Sequence, residues 1–156
     1  CGLSEKISVW LWKIGEVFMM KIVVAIDSLK GSLTSIQAGE AIEKGIKKVD
    51  LEAEVVIKPL ADGGEGCLDA QTAMGKAPIG VAKLAKKYGK LVLGFSGAVT
   101  KGATACNEAG IDAYFPIVRS AVSLEDAMKK KNAQENLIDT VEQVFPCDKS
   151  IKIKIS

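Results

Sequence analysis

The residues best suited to chemistry lie in the hexapeptide Ala61-Asp62-Gly63-Gly64-Glu65-Gly66. Glycines between a strand and a helix let the backbone approach a ligand closely, and the N-terminus of the helix favours an anion. The carboxylates of Asp62 and Glu65 suit Mg²⁺ bound with a phosphate, or a general base acting on a hydroxyl. The alternative is that both carboxylates only cap the helix that follows them.

Two further loops carry residues that could bind a ligand. Asp27, Ser28 and Lys30 follow an apolar run, and Ser96 and Gly97 follow another. A carboxylate at the end of a buried strand is costly unless it is paired, and a lysine can neutralise a substrate anion or a transferring phosphoryl group. The alternatives are that Lys30 is a solvated loop residue and that Ser96-Gly97 is a plain turn.

Composition excludes several classes of site. The 156 residues contain no histidine, which excludes a Ser-His-Asp triad, a Cys-His pair and a histidine-based zinc site. The four cysteines are widely spaced, as expected for free thiols in the cytoplasm. A net charge of +2 gives no case for nucleic acid, and no segment suits a membrane span. Neither a P-loop nor a Gly-x-Gly-x-x-Gly motif is present.

The hydrophobic pattern predicts the elements that must position these loops. Strands are predicted at 21–26, 54–58, 91–95 and 113–118, and helices at 35–49, 67–74, 79–88, 103–109 and 124–144, the last with a break near Asn132. Thr34 with Gln37, and Ser123 with Asp126, are typical of helix N-termini. Gly89 is predicted to adopt the left-handed conformation that ends a helix.

This alternation predicts an α/β fold, a Rossmann-like or flavodoxin-like three-layer arrangement. We expect a parallel sheet of about four strands with helices on both faces. In such folds ligands bind at the carboxyl ends of the strands. The loops 27–32, 61–66, 96–97 and 118–120 each follow a strand, so the sequence predicts that they gather at one edge as a single site.

The sequence resembles the bacterial class I glycerate kinases, the glycerate 2-kinase family. The segments that carry the resemblance are KIVVAIDSLKGSL at 21–33, PLADGGEG at 59–66, GKAPIGVA at 75–82, GFSG at 94–97 and AGIDAYF at 109–115, followed by SLEDA at 123–127 and Asn136-Leu137. These segments occur in the order typical of the family and cover essentially all of residues 20–144.

The resemblance implies a transferase: an ATP-dependent, Mg²⁺-requiring kinase that phosphorylates the organic acid glycerate to 2-phosphoglycerate in a cleft between two domains. Asp27, Ser28 and Lys30, with residues 62–65, would form one wall of that cleft. The resemblance suggests anion neutralisation for Lys30 and metal binding or hydroxyl activation for Asp62, with Glu65 as a second metal ligand.

The resemblance also implies a domain organisation. Residues 1–19 are expected to be an extension foreign to the family, and 145–156 a tail or an edge strand. Residues 20–74 and 75–144 would be two halves of one Rossmann-like domain, truncated by loss of the family's second domain between Met74 and Gly75. We expect turnover to be impaired because the opposing wall is absent. We also expect self-association through the surface that the lost domain would cover.

Two alternatives to a catalytic role stay open. One is a non-catalytic α/β remnant or anion-binding module, and the other is a flavodoxin-like regulatory or cofactor domain, because a fold alone does not fix function.

Overall fold

A computed structural model of the chain describes residues 21–26, 28–29, 31–60, 67–68, 74 and 77–145. The predicted extension 1–19 and most of the predicted tail lie outside the described residues. The strands are β1 (Lys21–Ile26), β2 (Glu54–Pro59), β3 (Cys67–Leu68), β4 (Leu93–Ser96), β5 (Ala98–Val99) and β6 (Ala113–Pro116). The helices are α1 (Ser35–Val49), α2 (Ala77–Lys87), α3 (Ala105–Glu108), α4 (Leu124–Met128) and α5 (Lys130–Val144), with a 3₁₀ turn at Lys101–Thr104.

The α/β class is confirmed, and each strand pairing in the described part of the chain is parallel. The strands pair as β1 with β2, β3 with β5, and β4 with β6, which makes three two-stranded sheets instead of the continuous sheet of about four strands that we expected. Short strands can be stable in pairs here because helices cover them.

Helices α1 and α5 cover one face of β1, and the other face is largely exposed at Val23. Ile22, Val24 and Ile26 contribute to the first core, which α1 and α5 share. Helix α2 also contacts β1, although Val23 is 61% exposed. Alternate residues of a strand face opposite sides, so β1 presents Ile22, Val24 and Ile26 to the α1–α5 layer and Val23 to the opposite side.

A second core lies around α2 and α3. Its buried residues are Leu68, Ile79, Ala82, Ala103, Cys106 and Ile111. The β4–β6 pair contributes to both cores, since Phe95 packs on the first and Tyr114 on the second. This pair therefore connects the two halves of the hydrophobic interior.

Local signals place most helix ends as predicted. The Thr34 hydroxyl accepts the Gln37 amide at 3.3 Å, and the Gln37 side chain accepts the Thr34 amide at 3.3 Å, which confirms the capping box of α1. Gly89 has the left-handed conformation, with φ of +61°. The predicted break in the last helix occurs at Lys129, where α4 ends and α5 begins, three residues before Asn132.

One predicted helix is partly wrong. Residues 67–74 were expected to be helical, but Cys67–Leu68 is strand β3 and pairs with Ala98–Val99. The Thr100 amide donates to the Leu68 carbonyl at 3.0 Å, and Leu68 is buried in the second core. Pairing with a distant strand overrides the local pattern here, and residues 69–73 lie outside the described part.

Helix α1 packs closely on α5 at Gly45. A Cβ atom at Gly45 would lie 2.9 Å from the Ile138 carbonyl oxygen and 2.9 Å from the Val141 Cβ. Near this contact the Lys48 ammonium pairs with the Glu142 carboxylate at 2.8 Å. The absence of a side chain at Gly45 is therefore a condition of this helix packing.

We predict that Gly45→Ala destabilises the protein by about 1–3 kcal/mol, because the added methyl group must displace backbone of α5. The matched control is Gly80→Ala in α2, where no atom lies within 4 Å of the added Cβ. There the substitution should stabilise by about 0.5–1 kcal/mol through the lower entropy of the unfolded chain. Urea unfolding followed by circular dichroism measures both; equal stabilisation by the two variants would contradict the packing described here.

The carboxylate of Asp112 links α2 to the residues that precede β4 and β6. The Lys86 ammonium donates to both carboxylate oxygens of Asp112 at 2.5 Å, and the Val92 amide donates to Oδ2 at 2.7 Å. The hydrogen bond from Lys86 first, and that from Val92 to a smaller extent, lower the pKa of Asp112 below its ordinary value against an opposing effect of burial.

A lowered pKa in the folded state means that Asp112 stabilises the fold above its unfolded pKa, and that this contribution disappears as the pH falls through the folded pKa. Asp112→Asn should therefore cost about 0.5–1 kcal/mol at pH 7, after allowance for solvent screening of this partly exposed pair. The difference from the parent chain should close below about pH 4. The control Asp139→Asn removes only a 4.0 Å contact with Lys48 and should change stability by less than about 0.5 kcal/mol. A pH-independent loss in Asp112→Asn would contradict the assignment.

Candidate functional site

The carboxyl ends of β1 and β2 lie side by side. Their register pairs Ile26 with Pro59, and the Leu60 amide then donates to the Ile26 carbonyl at 2.9 Å. The two segments with the strongest chemical pattern, 27–32 and 61–66, therefore start from neighbouring positions at one edge. That the loops themselves meet there stays a prediction, because residues 27, 30 and 61–66 lie outside the described residues.

The loop after β1 contains a tight turn. The Ser32 amide donates to the Leu29 carbonyl at 2.9 Å, the Ser32 hydroxyl donates to the same carbonyl at 3.0 Å, and Leu29 and Leu33 exchange two backbone hydrogen bonds. Gly31 has φ of +81°, in the left-handed region that favours glycine. Leu29 and Leu33 are buried in the first core and fix the base of this loop.

The same loop approaches the end of α4. The Met128 methyl group lies against Gly31, within the space that a Cβ atom would need. Since α4 follows β6, this contact places the loop after β1 close to the segment that follows β6. Ser28, one of the predicted substrate-binding residues, is half-buried in this loop.

Ser96 and Gly97 lie at the carboxyl end of the β4–β6 pair. Ser96 pairs with Pro116 in the register, and the Ile117 amide donates to the Ser96 carbonyl at 2.9 Å. Ser96 is buried, and its hydroxyl donates to the Ala98 carbonyl. Because the hydroxyl proton is engaged within the loop, Ser96 can offer a ligand only its oxygen as an acceptor. Its predicted role in substrate binding stays a prediction.

Six of the predicted site residues lie outside the described residues: Asp27, Lys30, Asp62, Gly63, Gly64 and Glu65. Among the residues that the structure does describe, no group of three or more cysteine, aspartate or glutamate side chains could hold a metal ion. The proposed magnesium ligands, Asp62 and Glu65, therefore stay a prediction from sequence.

Within the part of the chain that the structure describes, no helix has the length and apolar character needed to cross a membrane.

An open groove of about 460 Å³ lies where β6 ends, against the last turns of α5. Its lining residues are Phe115, Pro116, Arg119, Thr140, Gln143 and Val144. Sequence reasoning placed Arg119 in a loop at the ligand-binding edge but gave it no role. The α5 residues that line the groove could not be identified from the sequence, because nothing in the sequence shows that α5 passes the end of β6.

Comparison with known proteins gives a family. The family model described as "Glycerate kinase family" matches residues 22–70 and 64–147 of this chain. The two matched segments therefore overlap at 64–70 and together span 22–147.

Individual relatives agree with the family match. The chain is 44% identical over 99 residues to a glycerate kinase of Bacillus subtilis, which covers 62% of this chain and 26% of the relative. It is 37% identical over 117 residues to a glycerate kinase of Haemophilus influenzae, covering 72% and 29% of the two chains. The glycerate 2-kinase of Escherichia coli is 38% identical over 95 residues, covering 58% and 25%.

These matches cover less than a third of the length of each of those curated relatives. No solved structure matches the chain. The family match extends over most of the sequence, and the two loops with the family's signature residues follow adjacent parallel strands. This chain therefore belongs to the glycerate kinase family.

Proposed function

We propose that this chain carries one wall of the substrate cleft of a glycerate kinase, which transfers the γ-phosphoryl group of ATP to glycerate to give 2-phosphoglycerate and ADP. The observation that carries the proposal is the adjacency of the strand ends that precede 27–32 and 61–66, the two loops with the family's signature residues. The names of the relatives support the reaction and its substrates. An ATP-dependent reaction also supports a cytoplasmic location.

The residues of these loops suit the chemistry of phosphoryl transfer. The Lys30 ammonium would neutralise the carboxylate of glycerate or the charge that develops on the transferring phosphoryl group. Asp62 would take the proton from the attacking hydroxyl or, with Glu65, bind Mg²⁺. A magnesium ion in such a site neutralises phosphate charge. Asp27 and Ser28, with the backbone of Gly63 and Gly64, would position the substrate.

The proposed domain organisation limits the rate of phosphoryl transfer. We propose that residues 20–144 form one domain from two sequence halves, which the two-segment family match supports. Phosphoryl transfer needs groups that converge on both sides of the reacting atoms with water excluded. If the relatives supply the second wall from the part of their sequence that this chain does not match, the chain alone should bind its substrates better than it turns them over.

A second candidate is a non-catalytic anion-binding module. It is favoured by one observation, namely that the matches cover at most 29% of the length of the relatives compared above. Under this reading the loops bind a phosphate or carboxylate and no phosphoryl transfer follows. Self-association through apolar surface fits either candidate.

A coupled assay of ADP release, with ATP, Mg²⁺ and glycerate, separates the two candidates. For the kinase we predict slow, glycerate-dependent turnover that falls by about a hundredfold or more in Lys30→Ala and Asp62→Ala, since each removes a group that acts on the transition state. Lys83→Ala and Glu40→Ala change exposed charges on helices and should leave the rate unchanged.

Turnover that survives both loop substitutions would contradict the proposed kinase site. Absence of turnover together with retained binding of phosphate or glycerate, lost in Lys30→Ala, would instead support the anion-binding module. Calorimetric titration of the same variants measures that binding.

A further inference from the structure

Helix α2 is apolar on two opposite sides. Ile79 and Ala82 are fully buried in the second core and hold one side against the protein. On the other side lies an apolar stripe, which we call the α2 stripe, formed by Ala77, Val81, Leu84 and Tyr88 and continued in the sequence by Leu91. Leu84 is 57% exposed and Tyr88 is 72% exposed, and neither belongs to a core of the described residues. Apolar surface that continues along a helix in this way is typical of an interaction site.

The spacing of the α2 stripe is that of a helix that packs against another helix. Its residues follow one another at intervals of four, three, four and three, as the a and d positions of a heptad repeat do. Side chains at this spacing fit between those of a second helix with the same repeat. The partner that suits the α2 stripe is therefore another amphipathic helix.

The residues that precede β1 carry a matching pattern. Apolar residues recur there at the same intervals of four, three, four and three, at Leu3, Ile7, Trp10, Ile14 and Val17. At about 3.6 residues per turn these positions share one side of a helix, whereas Glu5, Trp12 and Glu16 fall on the opposite side. No proline interrupts the run. The pattern predicts an amphipathic helix over residues 3–18, which lie outside the described residues.

Attachment and charge favour this segment over a second copy of the chain. It leads directly into β1, which contacts α2, so it is held within about 20 Å of that helix, the length of one strand. Such a tether raises its effective concentration to about the millimolar range. A second copy would bring two like charged surfaces together, because residues 76–90 contain five lysines and no acidic residue. Residues 3–18 contain two lysines and two glutamates and add no net charge.

We infer that residues 3–18 form a helix that packs its apolar side on the α2 stripe. Trp10 and Leu84 are the middle residues of the two stripes, so they would be in contact whichever way the helix runs. A helix of this length is marginally stable alone in water, and its structure would therefore depend on this packing. The packing is independent of the proposed function, because the α2 stripe contains none of the proposed site residues.

The two tryptophans of the chain test this packing, because they fall on opposite sides of the predicted helix. Trp12→Phe leaves Trp10 as the one indole, and Trp10→Phe leaves Trp12. In the full chain we expect blue-shifted emission and protection from acrylamide for Trp10, and emission typical of water with ready quenching for Trp12. Adding Leu84→Gln and Tyr88→Gln should weaken docking by about a hundredfold and expose Trp10, since each buried side chain of this size contributes about a factor of ten or more.

The matched control is Lys83→Gln with Lys87→Gln, which changes exposed residues of α2 outside the α2 stripe. This variant should keep Trp10 as protected as it is in the parent chain. Nuclear Overhauser contacts between the Trp10 indole and the Leu84 methyl groups locate the packing independently of any substitution. Sedimentation of the same sample should give the mass of a monomer.

Equal quenching of the two tryptophans, or protection of Trp10 that survives the Leu84 and Tyr88 substitutions, would overturn the inference. So would protection that is confined to a dimer and lost on dilution, because the occupant would then be a second copy. Protection that requires vesicles of anionic lipid would also overturn it, and would assign the α2 stripe to a membrane surface. No turnover is measured, so contradiction of the kinase by the Lys30 and Asp62 substitutions would leave this result unchanged.

Discussion

The packing of α1 against α5 is the contact on which the rest of the structure depends. It joins the first part of the chain, which supplies β1, β2 and α1, to the last helix, about a hundred residues later. Gly45 allows the approach because it has no side chain to meet the Ile138 carbonyl. Leu137 and Val141 then fill the interior beneath, both fully buried. Without this contact the α1 face of β1 and β2 would lose part of its cover.

This packing also brings the described part of the loop after β1 close to a helix from the last third of the sequence. Helix α5 follows α4, and α4 lies against the loop after β1 through the contact of Met128 with Gly31. The β4–β6 pair contributes Phe95 to the same core. The described strand ends that precede the candidate loops are consequently positioned by one hydrophobic interior. A substitution in this hydrophobic core should therefore affect the candidate site by moving its loops.

The sequence predicted those features that depend on neighbouring residues. The apolar runs of β1 and β2, the capping box of α1 and the left-handed Gly89 are local signals, and the structure confirms each. Strand β3 could not be predicted, because its two residues become a strand only by pairing with Ala98–Val99. The division into three pairs of strands is likewise a property of tertiary packing. Local pattern determines an element's type best where the element is long.

The same distinction applies to the candidate site. Residue type and spacing made the loops at 27–32 and 61–66 candidates, and the resemblance to a family strengthened that interpretation. It stays a prediction, because residues 27, 30 and 61–66 lie outside the described residues. The engaged hydroxyl of Ser96 and the apolar walls beside Arg119 depend on tertiary contacts that no spacing reveals.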